Sequence, residues 1–219
     1  MIESEQASPE ERGALLLAIR RAGVRDLSVL RAIELTPREA FTPYRYRDLA
    51  NRNISLPIGC GQTMSRPVDL ARRIASLEVG PGHRVLEVGA GSGYSAAILS
   101  RLASEVVSIE RYRTLAIEAS ARVADLLPAK IRILHHDGLA PSSDLGLFDR
   151  IFVEAALQAP PPGLLAALAG EGILVYARSA PDRRQRLIKL VRKSSGELDE
   201  SDLGPCQLAL CAPGIAVSL

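Results

Sequence analysis

Cysteine is scarce in this chain of 219 residues, which contains only Cys60, Cys206 and Cys211. An odd count with no paired spacing predicts neither a disulfide framework nor a metal site, and it is typical of a reducing compartment. The opening residues, MIESEQASPEE, lack the basic and then apolar pattern of a signal peptide. No apolar run reaches the roughly 18 residues of a membrane span. We therefore expect a cytoplasmic protein with no bound metal and no membrane partner.

An excess of charge of one sign is also lacking, because 27 basic residues stand against 25 acidic ones. This balance gives no reason to expect nucleic acid or an anionic membrane as a partner. Without an argument from charge, we also expect a monomer. One basic cluster lies near the C-terminus and consists of Arg183, Arg184, Arg186, Lys189, Arg192 and Lys193. We interpret this cluster as a solvated sheet edge, with guidance of acidic peptides as the alternative.

Apolar strands and helices alternate through the middle of the chain. The predicted strands are residues 85–88, 106–109, 131–135, 149–153 and 173–176. Helices of 94–102 and 114–127 follow the first two, and such alternation predicts a mostly parallel sheet. Residues 187–191 and 207–211 flank a Ser-Ser-Gly turn and predict an antiparallel hairpin. Residues 41–67, with several prolines and glycines, are predicted to be an irregular functional loop.

Three glycines, Gly89, Gly91 and Gly93, directly follow the strand 85–88. A strand that ends at such a turn exposes backbone at the mouth of a crevice, and the next helix N-terminus favours a polar or anionic ligand group. Tyr94 occupies the position where a dinucleotide fingerprint requires its last glycine. The turn therefore argues against a nicotinamide-dependent oxidoreductase, which is the first alternative function.

Acidic residues lie at the ends of three neighbouring strands. Glu87 lies in the end of the first strand, Glu110 ends the second and Asp137 follows the third. An acid in the position of Glu110 can accept hydrogen bonds from ribose hydroxyls, and Asp137 can reach an adenine amino group. Three acids at strand ends predict a site for a single nucleoside, with surface loop residues as the alternative.

These stretches resemble known motifs. VLEVGAGSGYSAAIL at 85–99 resembles motif I of class I S-adenosylmethionine-dependent methyltransferases. LPIGCGQTMSRP at 56–67 closely resembles the PIG-x-GQT-(I/M)-S-x-P segment of protein-L-isoaspartate O-methyltransferases. Further similar stretches follow the family's order and are TPREAF (36–41), SIER (108–111), HDG (136–138), FDRIFVEAA (148–156) and AGEGILV (169–175). The resemblance therefore covers nearly the whole chain.

The resemblance implies methyl transfer from S-adenosylmethionine to the free carboxylate of L-isoaspartyl residues in damaged proteins. It implies Ser65 as the catalytic residue, although a serine here can also cap the helix predicted over 68–77. It places Gln62, Thr63 and Glu154 at the acceptor. The implied cofactor-binding residues are Glu87, Gly89, Gly91, Gly93, Glu110, Asp137 and Gly138. A carboxylate with a reference pKa of about 4 needs no general base, so catalysis is expected to come from positioning.

The sequence departs from the family at the acceptor side. Glu154 replaces the usual threonine of (V/I)-T-A-A, and a fixed carboxylate there repels an incoming one unless it is protonated or turned away. Cys60 and the C-terminal CQLALCAPGIA differ as well. These departures leave open a divergent paralogue that methylates another acceptor, or a non-catalytic S-adenosylmethionine-binding protein. A nucleic-acid methyltransferase is disfavoured because VEAA replaces an (N/D)PP(Y/F)-type tetrapeptide.

Together, the alternation and the resemblance predict an α/β fold of the Rossmann-like, three-layer type. We expect a mostly parallel seven-stranded sheet with an antiparallel C-terminal edge and an N-terminal helical cap. We expect residues 1–219 to form one methyltransferase domain. Its predicted parts are a helical cap and loop (1–55), a cofactor-binding core (56–180) and a C-terminal hairpin region (181–219).

Overall fold

The structure is a computed structural model that describes residues 9–124 and 130–216. Its α-helices are α1 (Pro9–Arg21), α2 (Leu27–Glu34), α3 (Pro67–Ser76), α4 (Tyr94–Ser100), α5 (Arg113–Ala124) and α6 (Pro162–Ala167). Its strands are β1 (Leu56–Pro57), β2 (Thr63–Met64), β3 (Arg84–Val88), β4 (Glu105–Glu110), β5 (Ile131–His135), β6 (Phe148–Leu157), β7 (Leu168–Ser179), β8 (Gln185–Arg192) and β9 (Leu198–Pro205). The predicted end of the helix at 127 lies outside the described residues. No helix in the described ranges is long and apolar enough to span a membrane.

Seven strands form one sheet in the order β5-β4-β3-β6-β7-β8-β9. The first five in this order pair in parallel, whereas β8 is antiparallel to both β7 and β9. The inner strand β3 is almost fully buried because helices or loops cover both faces of a parallel sheet. The predicted Rossmann-like α/β fold with an antiparallel C-terminal edge is therefore confirmed.

Two apolar layers cover the faces of this sheet. On one face, α1 to α4 pack through residues such as Ile19, Ile74 and Leu99. On the other face, Leu164 of α6 packs among residues such as Phe148. Truncating one such buried side chain to alanine costs roughly 2–5 kcal/mol, so the layers fix the sheet and the loops at its ends.

The C-terminal hairpin was placed wrongly by the sequence. Its second strand is β9, at 198–205, and not residues 207–211. The acidic sequence of β9 is typical of a turn and not of a strand. In the structure Arg186 of β8 pairs with Asp202 of β9 at 2.8 Å, and this contact stabilises the strand. The apolar residues 207–211 instead run beside the end of β6, where the N–H of Ala156 donates to the carbonyl of Ala209.

The basic cluster around β8 is an edge whose charges are largely compensated. Ion pairs with carboxylates are formed by Arg184, Arg186, Lys189 and Lys193. Arg192 donates to the carbonyl of Leu165 at 2.7 Å. Four of the six charges of this cluster are therefore compensated, which weakens the alternative role in guiding acidic peptides.

The loop predicted to be irregular at 41–67 contains regular elements. A 3-10 helix covers Tyr44–Leu49, and β1 and β2 form a short antiparallel hairpin. The fully buried Arg38 organises this region, since its guanidinium donates to the carbonyls of Ala50, Ile54 and Ser65. Burial lowers the pKa of Arg38 to about 10, with the nearby Tyr94 acting in the opposite direction. The sequence of this segment is rich in turn residues and did not predict these elements. They are stabilised by contacts with residues distant in sequence, such as those of Arg38.

Candidate functional site

A cavity of about 700 Å³ lies at the carboxyl ends of the parallel strands β3, β4 and β6. Its volume lies in the range of small-molecule sites, and its position is the one that open α/β sheets use for ligands. Two walls face each other across it. The glycine wall consists of residues 88–92 with Glu110, Asp137 and Gly138, and the hairpin wall consists of Gln62, Thr63, Ser65, Arg73 and Glu154.

The three glycines of the turn all have positive φ angles, of 97° at Gly89, 53° at Gly91 and 88° at Gly93. Side chains rarely adopt this conformation, so glycine is needed for the chain to leave β3 and enter α4. Gly89 and Gly91 line the cavity. Gly93 does not: it caps α4, where an added Cβ would lie 3.3 Å from Ala119 and Val123. Its place in the structure is at a helix contact behind the cavity.

Glu110 and Asp137 both line the cavity, and backbone amides hold their carboxylates. Glu110 accepts from the N–H of Gly91 at 2.9 Å and from that of Tyr112 at 3.0 Å. Asp137 accepts from the N–H of Leu139 at 2.9 Å and from that of Gly214 at 2.8 Å. Each carboxylate oxygen keeps a lone pair for a hydroxyl or amino donor of a ligand. The glycine wall thus presents two fixed acceptors.

Gly138 follows Asp137 and lies directly against the end of β3. A Cβ at this position would lie 2.4 Å from Cγ1 of Val88, so a larger residue would push the Asp137 loop away from the sheet. The requirement for glycine here comes from close packing and not from the backbone angle. Gly138 therefore keeps Asp137 at the edge of the cavity.

Glu87 is fully buried and does not line the cavity. Burial raises the pKa of Glu87 to about 8, although hydrogen bonds from Ser108 and Ser95 act in the opposite direction. A neutral carboxyl beneath the glycine turn fits such an environment, because a buried unpaired charge is costly. The structure gives Glu87 a position under the glycine wall, one layer away from any ligand that the cavity holds.

Ser65 lies at the centre of the hairpin wall. Arg38 fixes its backbone through the Ser65 carbonyl at 3.0 Å, and its hydroxyl faces the cavity. Gln62 and Thr63 also line the cavity, and the Gln62 amide donates to the carbonyl of Cys60 at 3.1 Å. The structure brings these three predicted residues together on one wall. Because Ser65 stands ahead of α3 without donating or accepting a capping bond, the helix-cap alternative is not realised.

The hairpin wall also contains an ion pair between Arg73 of α3 and Glu154 of β6. The Arg73 Nη2 atom lies 2.9 Å from Oε1 of Glu154, and the two side chains are 4% and 10% exposed. Removing one partner of such a buried pair costs about 3–5 kcal/mol. The pair explains how a carboxylate is tolerated at the position where the family motif (V/I)-T-A-A has threonine, because Arg73 neutralises the charge of Glu154.

Arg73 was not among the predicted site residues, although the sequence contains a signal for it. It lies on the apolar face of α3, three residues after Leu70 and directly before Ile74. A charged side chain at such a position must be buried and therefore needs a partner. Glu154, the one charged residue in the otherwise apolar run 151–157 of β6, is the matching partner. The apolar residues Leu208 and Leu210, which line the cavity, were likewise missed because they had been assigned to a strand.

Comparisons with known proteins agree on one family. The family model described as Protein-L-isoaspartate(D-aspartate) O-methyltransferase (PCMT) matches residues 10–209. A relative named protein-L-isoaspartate O-methyltransferase 2, from Rhodopseudomonas palustris (strain HaA2), is 44% identical over 99% of each chain. A solved structure named protein-L-isoaspartate O-methyltransferase has a TM-score of 0.81 at 25% identity and covers 92% of this chain and 66% of its own. Another, from Plasmodium falciparum in complex with S-adenosyl-L-homocysteine, has a TM-score of 0.78 at 24% identity and covers 91% of this chain and 97% of its own, which shows the fold.

Proposed function

The chain belongs to the protein-L-isoaspartate(D-aspartate) O-methyltransferase family. We propose that one wall of its cavity binds the methyl donor and that the other wall orients the acceptor. The protein is an enzyme that transfers a methyl group from S-adenosylmethionine to the free carboxylate of L-isoaspartyl residues in damaged proteins. The observation that carries the proposal is the meeting of the glycine wall and the hairpin wall in one cavity.

The glycine wall fits S-adenosylmethionine. Its two fixed carboxylates, Glu110 and Asp137, suit the ribose hydroxyls and the adenine amino group, and the glycine turn lets backbone approach the ligand closely. When bound, S-adenosylmethionine supplies a methyl group on a positively charged sulfur. Glu110, Asp137, Gly138, Gly89 and Gly91 hold it in this proposal, and Glu87 and Gly93 support the wall from behind.

The hairpin wall orients the acceptor. Ser65 is the proposed catalytic residue, because its hydroxyl can hold one oxygen of the acceptor carboxylate while the other oxygen faces the methyl group. Gln62 and Thr63 are proposed to contact the peptide around that carboxylate. Apolar side chains such as Ile58, Leu208 and Leu210 line the same space and exclude water. Since the acceptor is already ionised at neutral pH, positioning and water exclusion provide the rate increase.

The departure at Glu154 does not favour a different acceptor. Its carboxylate is paired with Arg73, so an incoming carboxylate meets a neutral pair and not an isolated negative charge. Repulsion between Glu154 and an incoming carboxylate therefore no longer supports the alternative of a paralogue with altered specificity.

Calorimetry with the purified protein tests the assignment of the glycine wall. We expect S-adenosylmethionine to bind and NAD to give no heat of binding, because Tyr94 is buried at the start of α4 where a dinucleotide site needs glycine. Binding of NAD without binding of S-adenosylmethionine would contradict the assignment.

The remaining expectations on organisation stay proposals. A single domain over residues 1–219 is supported by one apolar cluster that joins the N-terminal helices to the sheet. A cytoplasmic location is supported by three cysteines that are all free. Isoaspartyl-containing proteins are the proposed partners. The near balance of charge supports the proposal that the protein binds neither nucleic acid nor an anionic membrane, and a monomer stays part of the proposal.

A further inference from the structure

Three side chains of the hairpin wall form a closed cluster. The Arg73 Nη2 atom donates to the Ser65 Oγ atom at 2.8 Å and to the two carboxylate oxygens of Glu154 at 2.9 and 3.0 Å. The Ser65 hydroxyl in turn donates to Oε2 of Glu154 at 3.0 Å. Every member therefore contacts both of the others, and all three line the cavity.

The pair of Arg73 and Glu154 differs from the other ion pairs of the described residues. Each of those has at least one side chain that is 35% exposed or more. Exposed pairs of that kind contribute little, whereas a buried pair requires that both charges be fully satisfied. Arg73 and Ser65 thus form a site for one carboxylate inside the cavity, with a guanidinium and a hydroxyl as its donors, and Glu154 occupies this site.

Glu154 provides to this site the same chemical group that an acceptor residue provides, a carboxylate. The Ser65 hydroxyl can donate one hydrogen bond, and it donates this bond to Glu154. An acceptor carboxylate cannot accept a hydrogen bond from Ser65 while Glu154 does. The two carboxylates therefore compete for the same donors.

We propose that Glu154 is an internal stand-in for the acceptor carboxylate, and that an isoaspartyl carboxylate displaces it from Ser65 and binds Arg73. This inference rests on the proposed function of the hairpin wall. Arg73 is then the specificity-determining cation for the acceptor, and Glu154 is an autoinhibitory contact that closes the site between turnovers. A group that occupies a site within the same molecule lowers the apparent affinity of a ligand by the fraction of open protein.

The test compares Glu154→Thr and Glu154→Gln with the wild type, using a peptide that carries one L-isoaspartyl residue. Threonine is too short to reach Arg73 and Ser65 as Glu154 does, so the site is open in Glu154→Thr and we expect the KM for the peptide to fall at least about tenfold. Glutamine keeps one oxygen that accepts from the same donors but carries no charge, so Glu154→Gln should give a smaller decrease in KM. The double variant Arg73→Met/Glu154→Thr lacks both charges and should have a KM at least about tenfold above that of Glu154→Thr. Arg72→Met, at an exposed arginine of α3, and Glu118→Thr, at a half-buried glutamate of α5, are matched controls.

A second readout does not depend on turnover. The peptide is titrated by calorimetry into protein saturated with S-adenosylhomocysteine, and its Kd should follow the KM values. Thermal melting identifies which variants are folded. If Glu154→Thr does not fold because it leaves Arg73 buried without a partner, Glu154→Gln, which keeps the shape of the side chain, still tests the proposal.

An unchanged or higher KM in the folded Glu154 variants would overturn the stand-in. A double variant equal to Glu154→Thr would overturn the role of Arg73. Failure of the proposed function looks different, because then neither the wild type nor any variant methylates the isoaspartyl peptide, and the inference falls with it.

Discussion

On the glycine wall the acidic side chains are held by backbone amides, whereas on the hairpin wall the polar side chains hold one another. Glu110 and Asp137 accept from four backbone N–H groups. Ser65, Arg73 and Glu154 instead bind among themselves, across 81 and 89 residues of sequence. Backbone bonds give fixed acceptors, and a side-chain cluster can exchange its partners. The comparison suggests a rigid side for a constant ligand and an exchangeable side for a variable one.

The largest effect is expected from removing an acceptor of the rigid side. Glu110→Ala should weaken S-adenosylmethionine binding about 100-fold, because it removes a ligand acceptor and leaves the amides of Gly91 and Tyr112 without partners. Calorimetry measures this change. Glu118→Ala, which removes a half-buried carboxylate of α5 outside the cavity, is the control and should bind normally. Equal affinity in Glu110→Ala and the wild type would remove Glu110 from the site.

Ser65→Ala should separate the two walls. We expect kcat/KM for an isoaspartyl peptide to fall about 30-fold, while the Kd for S-adenosylmethionine changes by less than about twofold. Steady-state kinetics and calorimetry measure the two quantities. Ser195→Ala, in the turn between β8 and β9, is the matched control. Normal turnover by Ser65→Ala would contradict its catalytic role.

Arg38→Lys tests whether the hairpin wall depends on its backbone support. Lysine keeps the charge but lacks the planar fork that reaches the carbonyls of Ala50, Ile54 and Ser65. We expect the free energy of unfolding to fall by about 1–3 kcal/mol and the KM for the peptide to rise about fivefold. Urea denaturation and kinetics measure these changes, with the exposed Arg47→Lys as the control. A weaker affinity for S-adenosylmethionine with an unchanged peptide KM would reverse the assignment.

Glu87→Gln should have a pH-dependent effect on stability. The pKa of Glu87 in the folded protein is about 8, above its ordinary value of 4.5, so ionisation at rising pH opposes folding. Glutamine does not ionise. The free energy of unfolding of Glu87→Gln relative to the wild type should therefore rise by at least about 1 kcal/mol between about pH 5 and about pH 8.

Urea denaturation at both pH values checks this expectation, and Glu118→Gln should show no such change. A difference between Glu87→Gln and the wild type that is equal at both pH values would contradict the buried position of an ionisable Glu87.

The glycine wall could be predicted from sequence because its residues come from contiguous motifs at strand ends. Gly89, Glu110 and Asp137 each follow an apolar strand, and parallel strands bring their carboxyl ends together. The same logic placed the five parallel strands of the sheet. Local periodicity and strand alternation suffice for this part of the molecule.

The hairpin wall was only partly predictable. Ser65 was found by resemblance, but its contact with Arg73 and Glu154 depends on how α3 packs against β6, which no local pattern encodes. The strand β9 was missed for a related reason, since its acidic residues are stabilised by basic partners on β8. Charged residues in apolar surroundings were the signal, and only the fold shows which charges meet.

The most direct measurement of the function of this cavity is the transfer of labelled methyl from S-adenosylmethionine to a peptide with one L-isoaspartyl residue, in parallel with its normal aspartyl twin. We expect the wild-type protein to label the isoaspartyl peptide and to leave the twin unlabelled. The reason is that the hairpin wall positions only the free carboxylate of the isoaspartyl residue in line with the methyl group. Equal labelling of both peptides, or labelling of neither, would contradict the division of the cavity into a cofactor side and an acceptor side.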